Sequence, residues 1–462
     1  MISKETCQKI LELCLATGGD FAEMFIEDTV TNTLELTMGK ITKANTHHLH
    51  GVAIRILKGF QEVNGYTNDF SYQSLEKLAL KLRSSIEGEK LNIRFTLQEE
   101  KAPAITKPHR LPSSLTNKDK IDYMSQVYEA AKAKSTEVSQ IICNLTDEEQ
   151  RIQVANTLGK MTKDFRTHIR LGATVVAGSG TNMQNSSNTV GGNQGYEVLD
   201  KADLKKFGEE LTDAAVRMVH ADEMVGGKMT VVVHNAFGGV LLHEACVHAL
   251  EATTVAKGSS VFCGKLGQKI ASDIVTAIDD GTRENQWGSL NVDDEGNPTQ
   301  KNILIENGIL KSYLVDYRNS RVMNHPVTGS ARRQSYKHSP TSRMTNTFFA
   351  PGKDTFEDII AKTEYGLFAK KMGGGSVNPS TGEFNFAVNE GYLIENGKIT
   401  KPVRGATLVG SGAEVLMNID MIADNLAFGH GLCGSLSGVI PTDVGQPTIR
   451  VQNVTVGGRG SK

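Results

Sequence analysis

Two passages in the second half of the chain demand antiparallel hairpins. NILIENGILKSYLV (302–315) and GYLIENGKITKPV (391–403) each set Asn-Gly between apolar runs. Asn and Gly both accept positive φ, and the two-residue turn they form matches the twist of paired strands. The chain carries 46 glycines against 11 prolines in 462 residues, so its turns are glycine turns and not stiff proline linkers. From a boundary at Ala221–Lys228 onward the chain reads as mostly β, with one conspicuous helix over 238–256.

The first half alternates between periods. Residues 3–16 have Ile10, Leu11, Cys14 and Leu15 on one helical face. From Phe21 to about Gly65 the β-branched and aromatic residues alternate, which predicts several antiparallel strands. Helical spacing returns over 71–86, with Ser71 as cap, then over 117–134 and 203–220. Residues 99–116 hold three prolines and read as a linker or an extended excursion. Strand patterns run to about 178, and the polar stretch GSGTNMQNSSNTVGGNQG (178–195) reads as a loop. The fold class is therefore α+β: an N-terminal antiparallel sheet with flanking helices, then a mostly antiparallel β domain around one helix. The divisions fall at 1–98, 99–222 and 223–462.

A formal net charge of -2 argues against nucleic acid or an anionic membrane surface as partner. No apolar run approaches the ~18 residues of a spanning helix. The N-terminal segment carries Lys and Glu within its apolar pattern, unlike a signal peptide, so the expected compartment is cytoplasmic. The six cysteines are scattered with no CxxC, which reads as buried thiols, or as one ligand or nucleophile.

The chemistry concentrates in GGVLLHEACVHALEATTVA, where His243, Glu244 and His248 are spaced HExxxH. Imidazoles are common zinc ligands, and a Glu beside one can act as general base. An ideal helix sets i and i+4 about 40° apart but i and i+5 about 140° apart. One metal can take both histidines only if the helix bulges or unwinds between them. The alternative is two polar residues on a half-buried helix.

This segment, with GKLGQKIASDIVTAIDDG after it, resembles the TldD/PmbA family of TldD/TldE metalloproteases. The likeness continues through SARRQSYKHSPTSRMTNTFF (330–349), EGYLIENGKITKPVRGATLVGSG (390–412) and MIADNLAFGHGLCGSLSGVIPTDVGQPTIRVQNVTVGG (421–458). The N-terminal half is similar in layout only. The resemblance implies a C-terminal metalloprotease domain, with Zn2+ held by His243, His248 and Cys433 and a fourth position open to water. It implies Glu244 as catalytic base, and peptides or unfolded chains as substrate. It also implies a TldE/PmbA-like paralogue as partner in a hetero-oligomer, a homo-oligomer being the other assembly. The alternative function is a non-catalytic adaptor of the TldE/PmbA kind, with structural zinc or none. One departure is Val247, where a small residue is expected before the second His. Cys246 reads as a small buried hydrophobe, with a competing thiolate as its other reading.

Other candidates are weaker. In THHLH, His48 and His50 share a strand face beside His47, without further ligands nearby. His430 stands three residues before Cys433 and can support the site. His338 and Arg343 can orient substrate or stabilise an oxyanion, or be structural. GATLVGSGAEVL and MGGGS fit neither a dinucleotide nor a P-loop pattern.

Overall fold

Ser3 accepts a hydrogen bond from the amide of Thr6 and starts the first helix, α1 (Lys4–Cys14), which buries Cys7, Ile10, Leu11 and Cys14. The structure, a computed structural model, describes residues 1–378 and 381–460. Three strands follow, β1 (Phe21–Thr37), β2 (Lys40–Lys58) and β3 (Gln61–Thr67), then α2 (Tyr72–Arg83) capped by Ser71. The extended passage begins as a short strand, β4 (Gln98–Lys101). It then runs as a strap, with the amides of Ile105 and Thr106 donating to Asn291 Oδ1 at 2.7 and 3.0 Å. It is an excursion held to the C-terminal half, not a free linker. Thr116 and Asp119 form a capping box on α3 (Asn117–Lys134).

Beyond α3 lie β5 (Val138–Asn156), β6 (Lys160–Ser179) and β7 (Asn182–Gly192), then α4 (Leu204–Val219). The expected loop over 178–195 is thus mostly strand. β7 pairs antiparallel with β6 from Ser179↔Asn182 to Ile169↔Gly192. Its Asn, Ser and Thr side chains carry no apolar alternation because it is an edge strand, held by ladder bonds more than by packing.

The seven strands form one sheet, in the order β3-β2-β1-β5-β6 with β4 and β7 both on β6. Alternation sorts its faces. On β1 and β2, Ala22, Met24, Ile26, Val52, Ile54 and Ile56 pack under α1 and α2. Leu34, Leu36 and the odd-numbered Ile141, Cys143 and Leu145 of β5 pack under α3 and α4. The opposite face presents Glu23, Glu27 and Arg55, all buried, to the C-terminal half.

The C-terminal half contains β8 (Gly227–Val233), β12 (Tyr365–Val377), β13 (Glu383–Glu395), β15 (Thr407–Ser411) and β18 (Ile449–Gly457). These pair β12-β8-β18-β15-β13 and β13 returns to β12, closing a barrel. The β14 strand (Lys398–Arg404) hangs on β13 through Asn396 and Gly397, at φ 52° and 72°. Asn307 and Gly308, at φ 49° and 79°, make the equivalent turn after β10 (Lys301–Glu306). Both Asn-Gly hairpins are therefore realised. Beside the barrel lies a sheet of β10, β9 (Ala277–Asp280), β11 (Asn346–Phe349), β17 (Gly438–Gln446) and β16 (Ala427–Ser435) in that order, with the short strand Ile309–Leu310 outside β10. β16 is its other edge. Leu241, Leu242, Val233, Phe386 and Val444 join barrel, sheet and the helix between them in one core.

Candidate metal centre

The predicted single helix over 238–256 is broken into pieces. A 3-10 turn (Ala236–Gly239) leads into α5 (Val240–Ala245), a second 3-10 turn spans Val247–Leu250, and a last short helix spans Ala252–Val255. The break is at Cys246, with φ -129° and ψ -58°. It re-aims the chain, so the i+5 spacing no longer separates the two histidines. Their rings meet edge to face with centroids 4.8 Å apart. Val247 does not oppose the break, because its buried side chain packs into the core from the first residue of the new turn. Cys246 is fully buried and no ligand; burial pushes its thiol up to about 12.

Close packing fixes the place of the break. An ideal Cβ built on Gly412 would lie 1.8 Å from the carbonyl oxygen of Ala245, the residue before Cys246. Gly412→Ala is therefore expected to push the break out of position and to cost about 1–3 kcal/mol. Thermal unfolding of the variant checks this; an unchanged midpoint would show that the contact yields freely.

β16 supplies the third group. Cys433 Sγ lies 3.3 Å from Nε2 of His243 and 3.3 Å from Nε2 of His248. The three ligand atoms all lie within 4.8 Å of one another, and this is the metal-type cluster found among the described residues. Two imidazoles and a thiol suit zinc. Its usual bond lengths of about 2.0–2.1 Å to nitrogen and 2.3 Å to sulfur put tetrahedral N and S ligands roughly 3.5 Å apart. The donor set and spacing therefore fit that ion.

The electrostatics differ from residue to residue. Burial, with the nearby positive charge of His248 and Arg343, holds His243 well below the ordinary histidine range. That leaves the neutral imidazole a ligand requires. Burial also opposes charge on His248, but Glu251 and then Cys433 outweigh it and raise His248 well above that range. Glu251 Oε2 sits 3.2 Å from His248 Nδ1 and so orients the ring. Glu244 Oε2 is 3.7 Å from His248 Nε2. Burial raises the Glu244 carboxyl, against the pull of His248 and with the push of Glu251.

Arg343 is fully buried beside the site. It donates to the carbonyl of Cys433 at 2.6 Å, to Ser437 Oγ at 2.9 Å and to the carbonyl of Gly438 at 3.0 Å. Its Nε lies 3.8 Å from Glu251 Oε1. One guanidinium thus ties the strand bearing Cys433 to the carboxylate that holds His248. Glu251 escaped the sequence reading; its one signal was a carboxylate three residues after the second His. His430 pairs with Asp443 at 2.7 Å and, among the described residues, makes no hydrogen bond to Cys433. His338 is not part of the cluster, and its Nδ1 sits 3.3 Å from Ser335 Oγ. His48 pairs with Asp28 at 2.6 Å and meets His50 edge to face, as the shared strand face requires; neither these nor His47 enter the cluster.

The PmbA/TldA metallopeptidase domain 1, central domain and C-terminal domain match residues 22–86, 110–219 and 226–458. A metalloprotease TldD homolog of Haemophilus influenzae is 35% identical over 467 residues, 99% of this chain and 97% of that one. A zinc metalloprotease TldD homolog of Saccharolobus solfataricus is 30% identical over 62% of this chain and 63% of its own. The crystal structure of TldE from Thermococcus kodakarensis covers 98% of both chains with a TM-score of 0.76 at 18% identity, a likeness of fold. No described helix is long and apolar enough to cross a membrane. With all three domains matched in order and one relative aligned end to end, the chain belongs to the PmbA/TldD metallopeptidase family.

Proposed function

We propose that the protein is a zinc-dependent metallopeptidase acting on extended or unfolded peptides in the cytoplasm, with a TldE/PmbA-like chain as partner. The convergence of His243, His248 and Cys433 on one point carries this reading. An adaptor without metal would have no use for a cysteine placed 3.3 Å from two imidazoles, and one with structural zinc would have no use for Glu244 at 3.7 Å from His248. Relatives named as metalloproteases and as a zinc metalloprotease support it, and the TldE likeness supports the choice of partner.

When bound, zinc supplies a Lewis acid that activates water and polarises a peptide carbonyl. The chain's own groups do the rest. Glu244, its carboxyl raised by burial, takes the proton of the attacking water and returns it to the departing amide nitrogen. Glu251 fixes the ring of His248, and Arg343 fixes the backbone of Cys433. β16 is a sheet edge, with Leu432, Leu436 and Val439 exposed at its hairpin. An extended peptide can pair with such an edge through its main chain, and this tolerates many side chains.

The test is zinc content per chain by elemental mass spectrometry, for wild type and Cys433→Ser. The expected result is about one zinc in wild type and clear loss in the variant, since a hydroxyl is a poor substitute for thiolate. Wild type that stays empty after zinc supplementation would overturn the metallopeptidase and favour the adaptor.

A further inference from the structure

Outside the metal centre, a cavity of about 410 Å³ lies between the N-terminal sheet and the barrel. That volume is in the range of small-ligand pockets, roughly 300–1,000 Å³. Two cations line it. Arg170 comes from β6 and Lys371 from β12. Both are half-buried, and neither has an ion pair or side-chain hydrogen bond among the described residues. Nε of Arg170 is buried without any partner. The remaining polar lining includes Asn188, Thr189, Asn389 and His430, and the described lining contains no Asp or Glu.

An adjoining cavity shares Lys371 and His430 and does contain carboxylates, Glu210, Asp213 and Glu390. Glu210 pairs with Lys206 at 3.8 Å and Asp213 with Lys134 at 3.4 Å. Glu390 is already committed. Arg217 donates to it at 2.8 Å, Lys370 at 3.0 Å and the Tyr392 hydroxyl at 2.6 Å. Cationic side chains are rarely left in a half-buried cavity unpaired, because burial withdraws water that nothing replaces. Burial indeed pushes the Lys371 ammonium down to about 8, against the pull of Glu390.

We propose that this cavity is an anion subsite that receives a carboxylate of the bound peptide, with Arg170 and Lys371 as its partners. A guanidinium presents paired donors that match a carboxylate, and a lysine adds a point charge. The position fits a substrate site. His430 lines the cavity and stands three residues from Cys433 on β16, about 10 Å along an extended chain. A peptide lying along that edge would place a carboxylate in the cavity about three residues from the bond it presents to the metal centre. This inference rests on the peptidase reading above, which gave the edge no charge preference. The carboxylate has two sources, the peptide's C-terminus or an Asp or Glu side chain.

Fluorescence anisotropy on the full chain separates them, with one labelled unstructured peptide in four forms. These are free acid or C-terminal amide, each with Glu or Gln at an internal position. Wild type is expected to bind a carboxylate form roughly tenfold more tightly than the neutral form, as one charge-assisted contact provides. The pair of peptides that shows the difference names the source. Arg170→Gln with Lys371→Gln is expected to erase the preference and leave affinity for the neutral form unchanged. Equal affinities across the four forms in wild type would overturn the subsite, with no variant needed. Mass spectrometry of the same samples reads cleavage separately. Cleavage without charge preference would end this proposal and keep the peptidase. Preference without cleavage, in zinc-loaded protein supplied with a TldE/PmbA-like chain, would keep the subsite and end the peptidase.

Discussion

Glu244→Gln is expected to lower peptide hydrolysis by about 10²–10⁴-fold while the protein keeps its zinc. The substitution preserves shape and removes the one thing a general base must have, an ionisable carboxylate. The geometry separates base from ligand. Glu244 is half-buried at the site, 3.7 Å from His248 Nε2, while His243, His248 and Cys433 form the metal-type cluster. Zinc content and turnover should therefore part company in this variant, whereas in Cys433→Ser they should fall together. Loss of zinc along with activity would make Glu244 a ligand. Full activity would place the base elsewhere.

The largest effect on stability is expected at Glu23→Ala, a loss of about 3–5 kcal/mol. Glu23 lies on the face of β1 turned toward the C-terminal half and is almost wholly inaccessible, at 1% exposure. It binds Arg55 at 3.0 Å and Arg333 at 2.7 Å. Arg55 also reaches Glu295 at 2.8 Å, and Arg166 reaches Asp294 at 2.7 Å. The amide of Tyr336 donates to Glu27 at 2.7 Å. The contact between the two halves is thus a buried ionic seam, in which Glu23 bridges two guanidiniums and is the one carboxylate paired with Arg333 among the described residues. Removing it strands charge where water cannot enter. Adding Arg333→Met to the variant is expected to recover part of the loss, because it removes one stranded charge and leaves an apolar side chain near Phe25. Chemical denaturation of the single and double variants checks this. A single variant as stable as wild type would show that the seam is not a significant source of cohesion.

The helices were legible because cap and stripe agree. Ser3, Ser71 and Thr116 cap the helices whose apolar residues enter the core. The Asn-Gly turns were legible because those residues suit the backbone the hairpin requires. β7 was not, since an edge strand of Asn, Ser and Thr has the composition of a loop. The break at Cys246 was not legible either. Neither Gly nor Pro marks it; it is imposed from outside, by Gly412 against Ala245 and by the core around Val247. The histidines and Cys433 could be named from motif and resemblance. Their support could not, because Arg343 reaches Cys433 across 90 positions of sequence. Contacts of that range are properties of the topology and leave no local pattern.

The strand order of the barrel bears on the chain's own synthesis. β8 opens the C-terminal half, yet it is hydrogen-bonded to β18, whose last residue is Gly457. The ring cannot shut until the chain has been made through β18. Cys433 likewise arrives 190 positions after His243. The N-terminal sheet, complete by Gly192, has no such wait and can fold first. On the proposed function, a nascent chain is an unarmed enzyme. A peptidase that accepts unfolded segments of many sequences is thereby spared from meeting its own unfinished tail, or its neighbour's on the same messenger, with a working blade.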